Sequence, residues 1–169
     1  MKSPNRQVRL KSRPTGIPQA DNFEIVAASV PEIADKQFLI RNEYLSVEPA
    51  MRGWVSAVAN YSIPVGLGEV MRAFSAGKIV ASRHPNYQEG DAVMGMLGWQ
   101  EYAISDGSTI TRKIKESDLP LSLALGVLGL NGVTPISVCS MWGSRGLVTP
   151  LWFRLRQGRL ARLWARSRS

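Results

Sequence analysis

Cysteine and histidine, the side chains that most often bind transition metals, occur once each in the 169-residue chain, as Cys139 and His84. A zinc site needs several ligands drawn from Cys, His and acidic side chains, so the sequence predicts no metal. A single cysteine also excludes a disulfide within the chain. His84 lies in the turn-like segment SRHPNYQEGD. We therefore expect its imidazole to face solvent or to be satisfied by local hydrogen bonds.

The segments that must position any functional side chain are mostly short and β-like. Apolar runs recur about every ten residues and are separated by Pro and Gly, which favours an all-β barrel or sandwich. The core of the longest strand is predicted to include Phe38, Ile40, Tyr44 and Val47. Strands are predicted near 6–14, 23–31, 36–49, 63–71, 77–82, 91–96 and 99–104, with a helical turn in 50–58 and a hairpin connection over 82–90.

The pattern changes near residue 118, where the sequence becomes helix-like. Ser117 or Asp118 is suited to cap a helix, and Pro120 is tolerated in a first turn. Leucine and alanine then recur at helical spacing. The sequence thus predicts one connecting helix near 118–130.

Positive charge is concentrated at the C-terminal end. Residues 1–118 contain 14 Lys and Arg against 13 Asp and Glu, whereas residues 119–169 contain seven arginines and no acidic residue. The net charges are therefore +1 and +7. A nearly neutral domain is not expected to bind a polyanion, so we expect no nucleic-acid partner for the first 118 residues.

Three segments occur in an order that identifies a family. They are LSVEPAMRG at 45–53, the run from GEVMRAF to WQEYAI at 68–104, and LALGVLGLNGVT at 123–134. Over residues 5–134 the chain resembles the N-terminal half of the zinc-independent medium-chain dehydrogenase/reductases. It most resembles the branch of NADPH-dependent alkenal, curcumin and prostaglandin reductases.

This resemblance implies a mainly β, GroES-like, partly open barrel over residues 1–134. In the family the barrel packs against a Rossmann domain, and NADPH lies in the cleft between the two. The reaction is hydride transfer to the β-carbon of an α,β-unsaturated aldehyde or ketone, without a metal. NADP(H) is thus the expected cofactor and a small enal or enone the expected substrate. Independently of the resemblance, the sequence holds no apolar run long enough for a signal or a membrane span, so the cytoplasm is the expected location.

The resemblance also nominates substrate-side residues. In the segment EPAMRG, Met51 and Arg52 match the family pattern, whereas Ala50 replaces a tyrosine. Arg52 has either a substrate- or cofactor-side role or a structural one, through an ion pair or bonds to backbone carbonyls. Trp99 forms the wall of an apolar pocket or is a core tryptophan.

Cofactor-side residues are expected in GLNGVT, where Asn131 and Thr134 would approach the nicotinamide. Asn131 has an alternative role as a helix cap.

Residues 135–169 depart from the family pattern. They contain no Gly-rich turn of the kind that binds a pyrophosphate at a helix N-terminus, and they hold seven arginines and three of the five tryptophans. We interpret this segment as a non-family basic tail, with two alternatives, that it results from a frameshift or that it is disordered. A chain without a cofactor-binding domain is expected to be inactive alone.

Two other functional classes stay open. The Arg- and Trp-rich tail has the composition of a segment that binds nucleic acid or a membrane surface, although the expectation is that it binds neither. The barrel could instead act as a pseudoenzyme that self-associates through apolar surface near 121–130.

Overall fold

A computed structural model describes residues 4–58, 62–129, 131–132 and 137. The chain divides into two compact units, Met1–Leu121 and Ser122–Ser169. The predicted domain boundary at residue 134 lies outside the described residues, as does most of the predicted basic tail, so both stay predictions. No helix in the described part of the chain is long and apolar enough to cross a membrane.

The first unit is built from two antiparallel sheets, as the strand-rich sequence predicted. The smaller sheet pairs β1 (Asn5–Leu10) with β2 (Phe23–Ala28), which a 3₁₀ turn at Ala20–Asn22 precedes. The larger sheet has the order β6-β3-β4-β5-β7. Its strands are β3 (Phe38–Leu45), β4 (Phe74–Ser82), β5 (Ala92–Met96), β6 (Tyr102–Ser105) and β7 (Ile110–Ile114).

The two sheets are joined at one edge and otherwise remain open. The Asn5 amide donates to the Tyr102 carbonyl and accepts from the Tyr102 N–H, both at 2.9 Å, which connects β1 to the edge strand β6. An isolated bridge between Gln7 and Gln100 continues this contact. Because β6 and β7 are the two ends of the larger sheet, the barrel is only partly closed.

Two apolar clusters form the core of this unit. One of them, called the second cluster below, is centred on Phe38 and Ile40, which are fully buried as predicted. Tyr44 and Val47, predicted for the same core, are instead 43% and 82% exposed. The prediction for Tyr44 was wrong because a register shift between Asn42 and Tyr44 interrupts the alternation of side chains along β3. The prediction for Val47 was wrong because β3 ends at Leu45, before that residue. The first cluster consists of Leu10, Met51, Trp54, Val55, Val65, Met71 and Ala73.

Two local features differ from the sequence-based prediction, and a third agrees with it. The strand predicted in 63–71 is reduced to a single bridge between Val70 and Arg9. β7 was not predicted, because three of its five residues are polar. The helical turn predicted in 50–58 is confirmed as α1 (Met51–Trp54).

The connecting helix predicted near 118–130 is shorter than expected. A 3₁₀ helix covers Leu121–Leu125 and is followed by turns. The N–H groups of Gly126 and Leu128 both donate to the Leu123 carbonyl, at 3.0 Å each, so the chain turns back instead of continuing as an α-helix. Glycine is unfavourable in a helix interior, and both Gly126 and Gly129 fall in this stretch.

Candidate functional site

The short helix α1 carries two of the predicted substrate-side residues. Pro49 precedes it, and the N–H of Met51 donates to the Glu48 carbonyl at 3.1 Å. Met51 is 7% exposed and Trp54 is 6% exposed, and both pack in the first core cluster. The side chain of Met51 therefore supports α1 from the interior.

Arg52 has a different environment from its neighbour Met51. Its side chain is exposed, and it makes no hydrogen bond or ion pair with any described residue. A purely structural role for Arg52 would need an ion pair or hydrogen bonds to backbone carbonyls. The described surroundings therefore leave the guanidinium available to an anion or to an oxygen that gains negative charge.

Arg72, which the sequence analysis missed, ties a loop to α1. Its guanidinium carbon lies 5.6 Å from the centroid of the Trp54 ring, at cation–π distance. Its Nη1 donates to the Ser62 hydroxyl at 2.7 Å and to the Ile63 carbonyl at 3.0 Å. The Val65 N–H donates to the Trp54 carbonyl at 2.8 Å. These contacts depend on residues distant in sequence, so no local pattern indicates them.

Trp99 uses its polar atom for a structural contact. Its indole N–H donates to the Ser46 carbonyl at 3.0 Å, and its ring lies 6.0 Å from that of Phe23. The half-buried ring packs against the first core cluster, to which Met51 also belongs. These contacts match the core-tryptophan alternative. A role for Trp99 at the substrate stays a prediction.

Of the two predicted cofactor-side residues, the described chain includes one. Asn131 is exposed, and its Nδ2 donates to the Leu125 carbonyl at 3.4 Å. This contact fits the capping alternative, because it satisfies a carbonyl at the end of the 3₁₀ helix. Thr134 lies outside the described residues.

His84 is held locally, as predicted. Its Nδ1 accepts a hydrogen bond from the Asn86 N–H at 3.1 Å. The ring packs edge-on against Phe38 at 5.8 Å and against Tyr87 at 5.0 Å. Within the described ranges, no group of three or more Cys, His, Asp or Glu side chains could hold a metal ion.

The charged pairs of the barrel brace the sheets. Arg6 of β1 lies 2.6 Å from Glu101, and hydrogen bonds from Arg6 lower the pKa of the Glu101 carboxyl. Lys113 of β7 lies 2.6 Å from Asp91, and its hydrogen bond is the main cause that lowers the pKa of the Asp91 carboxyl. Neither pair includes a residue of α1.

Comparison with known proteins identifies the class of domain. The family described as the N-terminal domain of oxidoreductase matches residues 6–113, which is more than half of the chain. The chain belongs to this family.

Individual relatives show which kinds of oxidoreductase the chain resembles. The chain is 42% identical over 133 residues to the NADPH-dependent curcumin reductase of Escherichia coli, covering 79% of this chain and 38% of that protein. It is 34% identical over 145 residues to the NADP⁺-dependent 2-alkenal reductase of Nicotiana tabacum, covering 80% and 42%. The chain thus spans about two fifths of the length of these relatives.

Solved structures agree with the sequence comparison. The crystal structure of CurA from Vibrio vulnificus superposes with a TM-score of 0.73 and 40% identity, covering 80% of this chain and 40% of that one. CurA in complex with NADPH gives a TM-score of 0.72 at 40% identity. The predicted GroES-like, partly open barrel and the resemblance to the NADPH-dependent reductase branch are therefore confirmed.

Proposed function

We propose that the barrel is the substrate-side half of an NADPH-dependent reductase acting on the carbon–carbon double bond of α,β-unsaturated aldehydes and ketones. The observation that carries this proposal is the 40% identity to CurA across 80% of the chain, in the same fold. Two of the relatives are named as a curcumin reductase and a 2-alkenal reductase, which supports the substrate class.

We assign Arg52 the substrate-side role. Hydride addition to the β-carbon of an enone places negative charge on the carbonyl oxygen, and a positioned donor stabilises that charge. Arg52 is exposed on α1 and unpartnered among the described residues. Met51 and Trp54 anchor α1 in the first core cluster, and Trp99 packs against the same cluster.

NADP(H) would supply the hydride when bound. Of the residues described here, Asn131 fits the nicotinamide end, because its side chain is exposed and uses only its amide N–H₂ toward Leu125. Its amide oxygen is then available to accept a hydrogen bond from a carboxamide. Thr134 is proposed to act beside it.

The proposal is tested by supplying the rest of a reductase. Residues 1–134 would be joined to the part of the E. coli curcumin reductase that lies beyond its match to this chain. We expect the chimera to oxidise NADPH in the presence of trans-2-nonenal, and the 169-residue chain alone to show no turnover. A folded chimera, by circular dichroism, that binds NADPH but reduces no enal or enone would contradict the substrate assignment.

We further propose that residues 1–118 bind neither nucleic acid nor membrane, which their net charge of +1 supports. Residues 119–169 have a net charge of +7. If this protein does bind nucleic acid or a membrane surface, that charge favours the tail as the binding segment. Retention on heparin at about 0.15 M salt that disappears when residues 145–169 are removed would support that alternative.

A further inference from the structure

A groove of about 520 Å³ lies between the segment that follows β2 and the five-stranded sheet. Val30, Pro31 and Ile33 line it from that segment, and Leu39 of β3 and Val80 of β4 line it from the sheet. Small-molecule sites typically have volumes of about 300–1,000 Å³ and mostly apolar walls. The groove therefore has the size of a ligand site, although about half of its lining surface is polar, and no residue of α1 lines it.

The register of the sheet extends the apolar floor of the groove. Successive side chains of a strand point to opposite faces, so Leu39 lies on the face opposite the buried Phe38 and Ile40. Leu39 is paired with Ala81 on β4 and with Ile104 on β6. Three apolar side chains therefore lie side by side on this outer face.

Positive charge borders this apolar floor. Arg83 lines the groove, is exposed, and makes no side-chain hydrogen bond or ion pair with a described residue. Arg41, two residues beyond Leu39 on β3, is the register partner of Lys78 across the β3–β4 ladder. Like charges directly opposite each other are unfavourable in a sheet, so an anion between or near them would be stabilised.

Acidic residues of the barrel only partly offset this charge. Glu32 lines the groove. Glu101 lies within electrostatic reach of Arg41, but its carboxylate already accepts hydrogen bonds from Arg6 at 2.6 and 2.8 Å. The groove is thus lined by apolar side chains together with one acidic and one basic residue. The excess of positive charge comes from Arg41 and Lys78 at its border.

We propose that this groove binds an amphipathic carboxylate, with the alkyl chain between the 30–33 segment and β3–β4 and the carboxylate at Arg83. The apolar walls match the chain, and the planar guanidinium of Arg83 matches a carboxylate, to which it can donate two parallel hydrogen bonds. Arg41 and Lys78 add favourable charge on the same face.

The probe is monomeric laurate, below its micelle-forming concentration, added to the full 169-residue chain. Binding is followed by calorimetry and by shifts of backbone amide resonances. We expect saturable binding, with shifts at residues 30–33, 39 and 80–83. Octanoate, which buries four fewer methylenes, is expected to bind at least about tenfold more weakly.

Variants then separate charge from apolar contact. Arg83→Gln is expected to weaken laurate binding about tenfold and to leave 1-dodecanol binding unchanged, whereas Arg83→Lys restores part of the affinity for laurate. Lys115→Gln, beyond β7, removes the same charge away from the groove and should have no effect. Unfolding midpoints confirm that each variant is folded.

Any of the following results would overturn the proposal. One is the absence of saturable laurate binding. Another is laurate binding whose shifts map outside the groove, or whose affinity Arg83→Gln leaves unchanged. The last is binding to phosphatidylglycerol vesicles without binding of monomeric laurate, which would indicate a membrane surface as the partner instead.

Discussion

At the scale of single residues, Arg52 and Arg72 differ in their contacts, and the roles that we assign to them differ accordingly. Arg52 is exposed and unpartnered in the described part of the chain, whereas Arg72 contacts Trp54, Ser62 and Ile63. The first arginine has the environment of a binding residue, and the second has that of a structural brace. Substitution of Arg52 should therefore lower catalysis, whereas substitution of Arg72 should lower stability.

Replacing Arg52 with glutamine is expected to leave stability within about 0.5 kcal/mol of the parent, because no described contact is lost. In the chimeric reductase the same change should lower kcat about tenfold to a hundredfold, because a donor to the developing oxyanion is lost. The KM for NADPH should stay within about twofold. A rise in that KM with unchanged kcat would place Arg52 on the cofactor side instead.

Replacing Arg72 with methionine is expected to lower the free energy of unfolding by about 1–2 kcal/mol, since two hydrogen bonds and a cation–π contact are lost. Urea titration of the 169-residue chain measures this loss. Arg72→Lys keeps the charge without the guanidinium fork, so it should recover only part of the stability. Equal stability of parent and Arg72→Met would show that the brace contributes nothing.

At the scale of elements, the sheet depends on close approach of β3 and β4. A Cβ atom at Gly77 would collide with the Arg41 carbonyl and lie 2.8 Å from the Asn42 Cα. Both neighbours are backbone atoms in a paired strand and cannot move independently. Gly77 is therefore required by the register of this pair.

Gly77→Ala is expected to cost about 1–3 kcal/mol of unfolding free energy, the range typical of overpacking. Gly126→Ala is the matched control. The atoms nearest to a Cβ there are the Leu123 and Ser122 carbonyl oxygens, 3.8 and 3.9 Å away, which is ordinary van der Waals contact. Equal unfolding midpoints for the two variants would contradict the close strand contact.

The ion pairs that brace the sheets predict a dependence of stability on pH. The pKa values of the Asp91 and Glu101 carboxyls are lowered in the folded state, chiefly by hydrogen bonds from Lys113 and Arg6. A lowered folded pKa gives stability that is present above the unfolded pKa of about 4 and is lost as the pH falls through the folded value.

We therefore expect the urea midpoint to fall as the pH is lowered from about 6 to about 3, and the slope to be shallower in the double variant Asp91→Asn, Glu101→Gln. Urea titrations at several pH values measure the two slopes. Identical slopes in the parent and the double variant would show that these carboxyls do not control the acid side of the stability profile.

Local patterns in the sequence predict the strands whose side chains alternate or form apolar runs, such as β4 and β5, and the turn at α1 after Pro49. They do not predict β7, whose residues are mostly polar, or the exposure of Tyr44, which follows from a bulge set by pairing with β4. The contacts of Arg72 and the indole bond of Trp99 join residues far apart in sequence. They become visible only when the strands are assembled.

At the scale of the whole molecule, the chain belongs to a family of oxidoreductase N-terminal domains and spans about two fifths of the reductases it resembles. We propose that the barrel presents an enal or enone to a hydride donor. The proposal predicts at which substrate carbon the new carbon–hydrogen bond forms, so it is tested by locating the transferred hydride in the product.

The most direct measurement uses the chimeric reductase with NADPH deuterated at the transferring position of nicotinamide C4, and trans-2-nonenal as substrate. We predict one deuterium at the β-carbon of the saturated aldehyde, with the proton at the α-carbon derived from water, as read by mass spectrometry and NMR. Deuterium at the carbonyl carbon, giving the allylic alcohol, would contradict the account.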